Sequence, residues 1–326
     1  MTKVVLLSAP YMLINPEPYR PLFSRYGIEL IIPEVNERLE AAELLQYAGK
    51  FDGAICGDDR FTPEVLAACA PRLKVISKWG TGIDSIDLAA AAKLGIPVRN
   101  TPDAFVDAVA DSVLSYALAF ARQTPWLDQA VKAGQWTKLM GRSLAESTLG
   151  VVGVGRIGKA VLRRAQAFGG VLLGNDPVTM PADFLAQVNV KMTTLDEVLA
   201  ESDYVSLNCD LNPTSRHIID AAALARVKPS AILINTARGP LIDEAALVDA
   251  LGTGMLAGAA LDVFEEEPLP ANSPLLEMDN VLLAPHNSNA SPAAWARVNY
   301  LTVRNLLVGL DIDASSLRPE DFSALP

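Results

Sequence analysis

The chain has 326 residues, half of them apolar, and a net charge of −11 at pH 7. This length is typical of two domains, and the apolar content allows a sizeable core. The acidic balance argues against nucleic acid or an anionic membrane as the main partner, although a local group of N–H donors and one Arg can still bind a small anion.

Three scattered cysteines without a Cys-x-x-Cys motif favour reduced thiols in a cytoplasmic protein. The first apolar run, residues 4–7, is too short for the core of a signal peptide. No run approaches the length of a membrane span. We therefore expect a cytoplasmic protein with no membrane partner.

The first hundred residues alternate between predicted strands and helices. Strands are predicted at 4–7, 29–32, 53–56 and 74–77, and helices at 39–48 and 64–70. The second helix has a clear start, with Thr62 as N-cap and Pro63 in the first helical position. This alternation predicts a parallel sheet covered by helices. Loops 57–60 and 78–84 follow strands and could contact a ligand, with an ordinary solvated loop as the open alternative for each.

The pattern breaks at residues 100–102. On a helix made of residues 104–121, apolar side chains would cover almost every face, and this pattern predicts a buried helix. Acidic residues in its first turn suit the helix dipole, but Asp111 lies beyond that turn and only four residues after Asp107. Like charges at this spacing repel, so the sequence leaves Asp111 unexplained.

A glycine motif lies at the centre of the chain. The apolar run 149–152 leads into Gly153, Gly155 and Gly158, and a helical pattern follows. A second apolar run ends shortly before Asp176. A Gly-x-Gly-x-x-Gly between a strand and a helix, with an acid about 20 residues on, predicts a dinucleotide site. In such a site the pyrophosphate of the dinucleotide lies at the helix N-terminus, and Asp176 is expected to accept a hydrogen bond from a hydroxyl of the adenosine ribose.

Strand–helix alternation resumes after this motif. Strands are predicted at 205–207, 231–234, 256–261 and 281–283. Each ends in polar residues, which should gather on one edge of the sheet near the cofactor. A second break at 289–292 precedes an amphipathic helix at 293–309, and we expect the tail 311–326 to be loosely ordered.

The sequence contains only two histidines, His217 and His286. His286 follows a strand and a proline in a ligand-facing loop, which favours a role in proton transfer. His217 lies in what looks like a solvated helix start. Arg238, in a glycine-flanked turn, offers a planar fork to a carboxylate, or else forms a surface ion pair. The run 265–267 is acidic, and one of its side chains could reach His286.

Five segments resemble the D-isomer-specific 2-hydroxyacid dehydrogenase family, close to its phosphoglycerate dehydrogenase-like branch but without the regulatory extension. They are the cofactor motif 151–158, Asn235-Thr236-Ala237-Arg238-Gly239, Leu261-Asp262-Val263-Phe264-Glu265-Glu266-Glu267-Pro268, Ala284-Pro285-His286, and Trp79-Gly80-Thr81-Gly82-Ile83-Asp84. The sequence departs from the family pattern at Asp103, Asn208, Asp210 and Asn287.

The resemblance implies an α/β protein with two parallel sheets. A Rossmann dinucleotide-binding domain, residues 101–290, is inserted into a flavodoxin-like substrate-binding domain made of 1–100 and 291–326. The cofactor implied is NAD, and no metal is expected. The partners implied are a small anionic 2-hydroxy or 2-keto acid and a second copy of the chain, paired through the dinucleotide domain.

The resemblance also implies roles for individual residues. Arg238, Glu267 and His286 are the expected catalytic residues. Those expected to bind the cofactor are Gly153, Gly155, Arg156, Ile157, Gly158, Asp176, Asn208, Thr236, Ala237 and Asp262. Those expected from the resemblance to contact the substrate are Gly80, Thr81, Arg238 and His286. Arg60 and Lys78 are expected to contact it because of their positions after predicted strands.

The implied reaction is hydride transfer between NAD and a D-2-hydroxy acid or its 2-keto acid. Arg60 and Lys78 place two cations near a carboxylate-binding loop and favour a second anionic group, as in 3-phosphoglycerate. The open alternative is that Arg60 pairs with Asp58 or Asp59. Reduction of glyoxylate or hydroxypyruvate, and a non-catalytic NAD-sensing role, are the other functions considered.

Overall fold

The computed structural model describes residues 2–322, and the chain divides into two compact units. Unit 1 consists of Met1–Phe105 and Asn289–Pro326, and unit 2 of Val106–Ser288. Each unit is built on one sheet in which every strand pair is parallel. The predicted fold class, α/β with two parallel sheets, is confirmed.

The sheet of unit 1 has five strands. They are β1 (Lys3–Leu7), β2 (Ile28–Ile31), β3 (Gly53–Cys56), β4 (Val75–Lys78) and β5 (Val98–Arg99). Their order across the sheet is β2-β1-β3-β4-β5, the flavodoxin-like order. The helices between them are α1 (Pro10–Leu13), α2 (Tyr19–Arg25), α3 (Ala41–Leu45), α4 (Pro63–Cys69) and α5 (Leu88–Lys93). As predicted, the Thr62 side chain caps α4 by accepting from the backbone N–H of Val65.

The sheet of unit 2 has seven strands. They are β6 (Thr148–Val152), β7 (Val171–Asn175), β8 (Lys191–Met192), β9 (Tyr204–Leu207), β10 (Ile232–Asn235), β11 (Gly258–Leu261) and β12 (Val281–Leu283). Their order is β12-β11-β10-β9-β6-β7-β8. The direction of winding reverses between β6 and β9, as in dinucleotide-binding sheets.

Helices cover both faces of this sheet. They are α6 (Val106–Arg122), α7 (Thr124–Lys132), α8 (Arg156–Ala165), α9 (Ala182–Val188), α10 (Leu195–Glu201), α11 (Ala221–Leu224) and α12 (Glu244–Gly252). One apolar cluster packs α6 and α8 on one face, and another packs α10, α11 and α12 on the opposite face. The strands are buried on both sides, so their carboxyl ends form a fixed edge for functional side chains.

The chain returns to unit 1 as α13 (Pro292–Gly309), which packs on β3 and β4. We predicted a loosely ordered tail at 311–326. This prediction is wrong for residues 311–322, the part of the tail that the structure describes. Residues Pro319–Phe322 form a 3-10 turn, and Phe322 is fully buried. Residues 323–326 lie outside the described part of the chain. None of the helices within residues 2–322 combines the length and apolar character that a membrane crossing requires.

The sequence pattern does not predict several short helices, among them α1, α2 and α5, because four to seven residues show too little periodicity. The structure also explains Asp111 on α6, which the sequence pattern left unexplained. Arg164 of α8 lies 2.6 Å from Asp111 and 2.8 Å from Asp107, so one guanidinium offsets the repulsion between the two carboxylates.

Candidate active site

The turn between β6 and α8 is a tight glycine loop. Gly153 has a φ of 91°, and a Cβ on it would lie 2.5 Å from the backbone nitrogen of Cys209. A Cβ on Gly158 would lie 2.1 Å from the carbonyl oxygen of Gly153. The space around Gly155 is open, so a ligand can approach its backbone closely. Arg156 and Ile157 begin α8, whose positive N-terminal end suits a phosphate.

Asp176 follows β7 and is hydrogen-bonded to the glycine loop. Its Oδ2 accepts from the backbone N–H of Val154 at 2.7 Å, and its Oδ1 accepts from Val178 at 2.8 Å. The side chain remains partly exposed. Because each carboxylate oxygen can accept a second hydrogen bond, Asp176 can hold the loop and still receive a ribose hydroxyl.

The neighbouring strand ends carry buried oxygen atoms. Oδ1 of Asn208, after β9, and Oγ1 of Thr236, after β10, have no hydrogen-bond partner in the described part of the chain. Ala237 donates its N–H to Oδ1 of Asn235 at 3.1 Å and so fixes the start of the next loop. These unused polar atoms, the glycine loop and Asp176 follow adjacent strands at the switch in strand order, and together they fit a dinucleotide.

His286 and Glu267 are brought together by the loops after β12 and β11. Nδ1 of His286 lies 3.0 Å from Oε2 of Glu267, and each side chain is about four-fifths buried, with 23% and 18% exposed. The second carboxylate oxygen of Glu267 accepts from the backbone N–H of Phe264 at 3.0 Å. A carboxylate at Nδ1 fixes the ring's orientation and leaves Nε2 as the nitrogen for proton transfer.

Asp262 follows β11 and is hydrogen-bonded to the loop that contains His286. It is fully buried, and its Oδ1 and Oδ2 accept from the backbone N–H groups of Asn287 and Ser288 at 2.7 and 2.9 Å. Its carbonyl oxygen accepts from the N–H of His286 at 2.8 Å. Burial, and then the charge of Asp262, raise the pKa of Tyr116 on α6 to about 12. The structure shows Asp262 bonded to the loop that follows His286.

Arg238 lies in a turn that the Asn235 side chain closes. Nδ2 of Asn235 donates to the carbonyl oxygen of Arg238 at 2.8 Å. The next residue, Gly239, packs so closely that a Cβ would lie 1.8 Å from the carbonyl oxygen of Phe264. The turn that carries Arg238 is therefore in backbone contact with the segment that leads to Glu267. Arg238 is partly exposed, and its Nη1 donates to the carbonyl oxygen of Ala237 at 2.9 Å.

In unit 1 the loop after β4 differs in detail from the expectation. The N–H of Gly80 donates to Oγ1 of Thr101 at 3.2 Å, and Gly80 is buried. Within residues 2–322, the backbone N–H groups of Thr81 and Gly82 donate no hydrogen bond. Thr81, and not Gly80, is thus placed to offer an N–H to an anion.

Lys78 does not supply the second cation that the sequence suggested. It is 4% exposed, and its Nζ lies 2.9 Å from Oδ1 of Asp58, which offsets its charge. Arg60 is half-buried, and the described residues include no ion-pair partner for it. The alternative pairing of Arg60 is therefore wrong too, since Asp59 uses its oxygens on Ser8 and Leu39.

His217 forms a pair that the sequence did not indicate. It lies in a turn with a φ of 51°, not at a helix start, and its Nε2 is 2.5 Å from Oε1 of Glu265. Both side chains are about one-third exposed. No signal in the sequence links residues this far apart. Among the described residues, no group of His, Cys, Asp or Glu is arranged to hold a metal ion. Burial raises the pKa of the Cys69 and Cys209 thiols to about 11, so neither is a nucleophile at neutral pH.

Comparison with known proteins identifies the kind of site. Residues 114–288 match the family described as D-isomer specific 2-hydroxyacid dehydrogenase, NAD binding domain. A glyoxylate reductase of Thermofilum pendens is 42% identical over 82% of this chain and 81% of its own length. A D-3-phosphoglycerate dehydrogenase of Methanocaldococcus jannaschii is 39% identical over 80% of this chain, but over only 50% of its own length.

A solved structure supports the same family assignment as the sequence relatives. A D-lactate dehydrogenase of Aquifex aeolicus, complexed with NAD and lactic acid, superposes with a TM-score of 0.85. It is 28% identical, and the match covers 94% of this chain and 95% of that one. The expectation of an NAD-dependent dehydrogenase is confirmed.

Proposed function

Because this chain belongs to the D-isomer specific 2-hydroxyacid dehydrogenase family, we propose that it reduces a small 2-keto acid, glyoxylate in the first place, with NADH. As a member of this family, the protein is an NAD-dependent oxidoreductase that acts on the CH–OH group of a 2-hydroxy acid. Reduction of a 2-keto acid is the reverse of that reaction.

One observation carries this choice. Three relatives that are 40–42% identical over 76–87% of this chain are named glyoxylate reductases. A charge argument supports it: Asp58 offsets Lys78, so of the two cations predicted near the loop only Arg60 is left to receive a phosphate. Phosphate sites usually rest on several charge-assisted hydrogen bonds. A substrate without phosphate therefore suits this chain better.

The residues of unit 2 fit the cofactor that the family uses. Gly155 and the N-terminus of α8 would receive the pyrophosphate, and Asp176 the adenosine ribose. Thr236 and Asn208 would offer their unused polar atoms. When bound, the cofactor supplies the hydride chemistry, and the protein provides position and polarisation.

His286 and Glu267 form the proton-transfer pair. Glu267 holds Nδ1, so the proton that the substrate oxygen needs is carried at Nε2. The carboxylate favours the imidazolium that reduction requires, and after the proton has left it keeps the ring in place. Glu267 is itself fixed by the N–H of Phe264, which limits the freedom of the pair.

Two groups are assigned to anion binding. The guanidinium of Arg238 is suited to a carboxylate because its planar fork makes two parallel hydrogen bonds. The loop of unit 1 offers the N–H of Thr81, while Thr101 occupies that of Gly80. We assign Gly80 to shaping the loop, where its φ of 126° favours glycine.

The test is a turnover assay with NADH and four acids: glyoxylate, hydroxypyruvate, pyruvate and phosphohydroxypyruvate. We expect the highest kcat/KM for glyoxylate or hydroxypyruvate. His286→Ala should lower turnover by roughly a hundredfold or more. His217→Ala is the matched control, because it removes the other histidine and should leave turnover within a few-fold.

Other outcomes would replace the proposal. A preference for phosphohydroxypyruvate that Arg60→Ala abolishes would favour the phosphoglycerate reaction. Tight NADH binding without turnover of any of the four acids would favour a non-catalytic, NAD-sensing role.

We also propose that the protein is a homodimer formed through unit 2. Val131, Trp136, Leu139 and Met140, in and after α7, expose large apolar surfaces, with Trp136 at 90% and Met140 at 94%. A cluster of this kind on a monomer's surface marks an interaction site. Sedimentation velocity should give a dimer for the native chain and a monomer for the double variant Trp136→Glu, Met140→Glu.

The cytoplasm is the proposed location. Cys56, Cys69 and Cys209 are all free thiols, and two of them are buried. Proteins of oxidising compartments usually pair their cysteines. Fractionation of the source cells, followed by an assay for NADH-dependent reduction, would test this.

A further inference from the structure

We propose that Thr101 is a positioning residue: its hydroxyl group fixes the direction in which the Thr81 N–H points and so prepares that N–H for the substrate carboxylate. The inference rests on the proposed function, in which the Thr81 N–H binds the anion. Thr101 follows β5, is 1% exposed and lies beside the loop after β4. Both segments belong to unit 1.

One hydroxyl group holds both peptide units that flank Gly80. The Thr101 hydroxyl accepts from the N–H of Gly80 at 3.2 Å and donates to the carbonyl oxygen of Gly80 at 3.0 Å. The backbone N–H of Thr101 donates to the same carbonyl oxygen at 2.9 Å. Glycine has more backbone freedom than any other residue. At Gly80 the hydroxyl group restricts that freedom on both sides of the Cα atom.

The bonds to the Gly80 carbonyl group decide where the next N–H points. The C=O of Gly80 and the N–H of Thr81 belong to one planar trans peptide unit, so they point in opposite directions. Because Thr101 holds the C=O, the N–H of Thr81 points away from Thr101. Within residues 2–322 it donates no hydrogen bond. This N–H is therefore oriented and can donate to an anion.

The following peptide unit is arranged in the same way. Nδ2 of Asn100 donates to the carbonyl oxygen of Thr81 at 2.6 Å, so the N–H of Gly82 also points away from the segment 100–101. In the described part of the chain this N–H has no acceptor either. A carboxylate has two acceptor oxygens, and its charge strengthens the hydrogen bonds that it accepts. Donors that are oriented before the substrate arrives bind it at a lower entropic cost.

The segment that carries Thr101 is held from its other side by α13. Nδ2 of Asn305 donates to the carbonyl oxygen of Asn100 at 3.0 Å, and Nη1 of Arg297 donates to that of Asp103 at 3.4 Å. All of these residues belong to unit 1. Thr101 therefore holds the loop from a fixed position.

The experiment compares Thr101→Val and Thr101→Ser with Thr302→Val. Valine has the shape of threonine but neither donates nor accepts, so the N–H of Gly80 loses its acceptor. Serine keeps the hydroxyl group and should preserve function. Thr302 is a matched control in unit 1, because it is also buried and its Oγ1 has no hydrogen-bond partner in the described part of the chain.

Three quantities should be measured for each variant: kcat and KM for glyoxylate, the inhibition constant of oxamate, and the Kd for NADH. The carboxylate is bound in the ground state and in the transition state alike, so weaker binding should raise KM more than it lowers kcat. We expect Thr101→Val to raise KM and the oxamate constant roughly tenfold, which equals about 1.4 kcal/mol. The constants of Thr101→Ser and Thr302→Val, and every Kd for NADH, should stay within about threefold of the native values.

Two results with these variants would overturn the proposal. One is a KM and an oxamate constant in Thr101→Val that stay within about threefold of the native values. The other is a Thr101→Ser variant impaired as much as Thr101→Val, which would assign the effect to packing of the Thr101 methyl group.

A measurement on the native chain tests the proposal even if Thr101→Val does not fold. With NADH bound, oxamate should slow the amide proton exchange of Thr81 and Gly82, measured by NMR. The exchange of Gly80 should not change, because its N–H is bonded to Thr101. Slower exchange at Gly80 without slower exchange at Thr81 would overturn the proposal.

The proposed function is tested separately, by turnover of the native chain. If another of the four acids is the best substrate, the variants are compared with that acid, because all four carry a carboxylate beside the carbonyl group that is reduced. Failure of glyoxylate as a substrate would thus change the proposed function and not the role of Thr101.

Discussion

Replacing Asp59 with Asn should stabilise the protein at neutral and alkaline pH. Asp59 is fully buried in unit 1, where it accepts from the Ser8 hydroxyl and the N–H of Leu39, both at 2.6 Å. An Asn can keep both contacts, with its oxygen accepting from Leu39 and its amide donating to Ser8. The Ser8 hydroxyl can then donate to the carbonyl oxygen of Ile55, 3.2 Å away.

The magnitude follows from the pKa of the buried carboxyl group. Burial raises the pKa of Asp59 from 3.8 to about 6, and the hydrogen bonds to Ser8 and Leu39 only partly oppose it. A pKa raised on folding stabilises the fold below the ordinary pKa, and this contribution is lost as pH rises from 3.8 through about 6. Two units correspond to about 3 kcal/mol at most. Asn stays neutral and avoids that loss, so we expect about 1–3 kcal/mol of added stability at about pH 8.

Thermal unfolding at about pH 8 and about pH 4.5 would measure the effect. With about 2–4 °C per kcal/mol, Asp59→Asn should raise Tm by several degrees at the higher pH and by much less at the lower. Asp58→Asn is the control of opposite sign. It leaves the buried ammonium of Lys78 without the carboxylate 2.9 Å away and should cost about 3–5 kcal/mol. A loss of stability in Asp59→Asn at pH 8, or an equal gain at both pH values, would refute the reasoning.

Three further predictions concern the active site. Glu267→Gln should keep activity but shift the alkaline fall of glyoxylate reduction toward lower pH, because the imidazolium loses the carboxylate 3.0 Å from its Nδ1; an unshifted pH profile would contradict this. NADH should be preferred over NADPH by at least about tenfold, since Asp176 repels a 2′-phosphate, and steady-state kinetics with both cofactors would show it. Gly239→Ala should lower both Tm and kcat/KM, because its Cβ would lie 1.8 Å from the carbonyl oxygen of Phe264; native-like values of both would contradict the close packing.

The placement of the site along the chain could be predicted because it depends on local patterns. The glycine loop, Arg238 and His286 each follow a short apolar run, and parallel strands place their carboxyl ends on one edge of a sheet. His286 and Glu267 are separated by 19 residues, yet the loops after β11 and β12 must lie together once those strands pair.

The charge state of the proposed substrate region could not be predicted in the same way. The sequence shows that Lys78 and Arg60 lie near a loop that follows a strand, but not where either side chain ends. The pairing of β3 with β4 places Cys56 opposite Lys78, which brings the loop after β3 to the Lys78 ammonium. Lys78, which we expected to bind the substrate anion, therefore pairs with Asp58.

The fold class, the family and the position of each chemical group along the chain can be predicted from local signals, namely hydrophobic runs, glycine spacing and polar strand ends. Which of those groups are already hydrogen-bonded depends on contacts between residues far apart in the chain. Thr101 takes the N–H of Gly80, and Asp262 is hydrogen-bonded to the loop after His286. Such bonds join residues 21 and 25–26 positions apart, and strand order and register, which the local pattern does not encode, determine them.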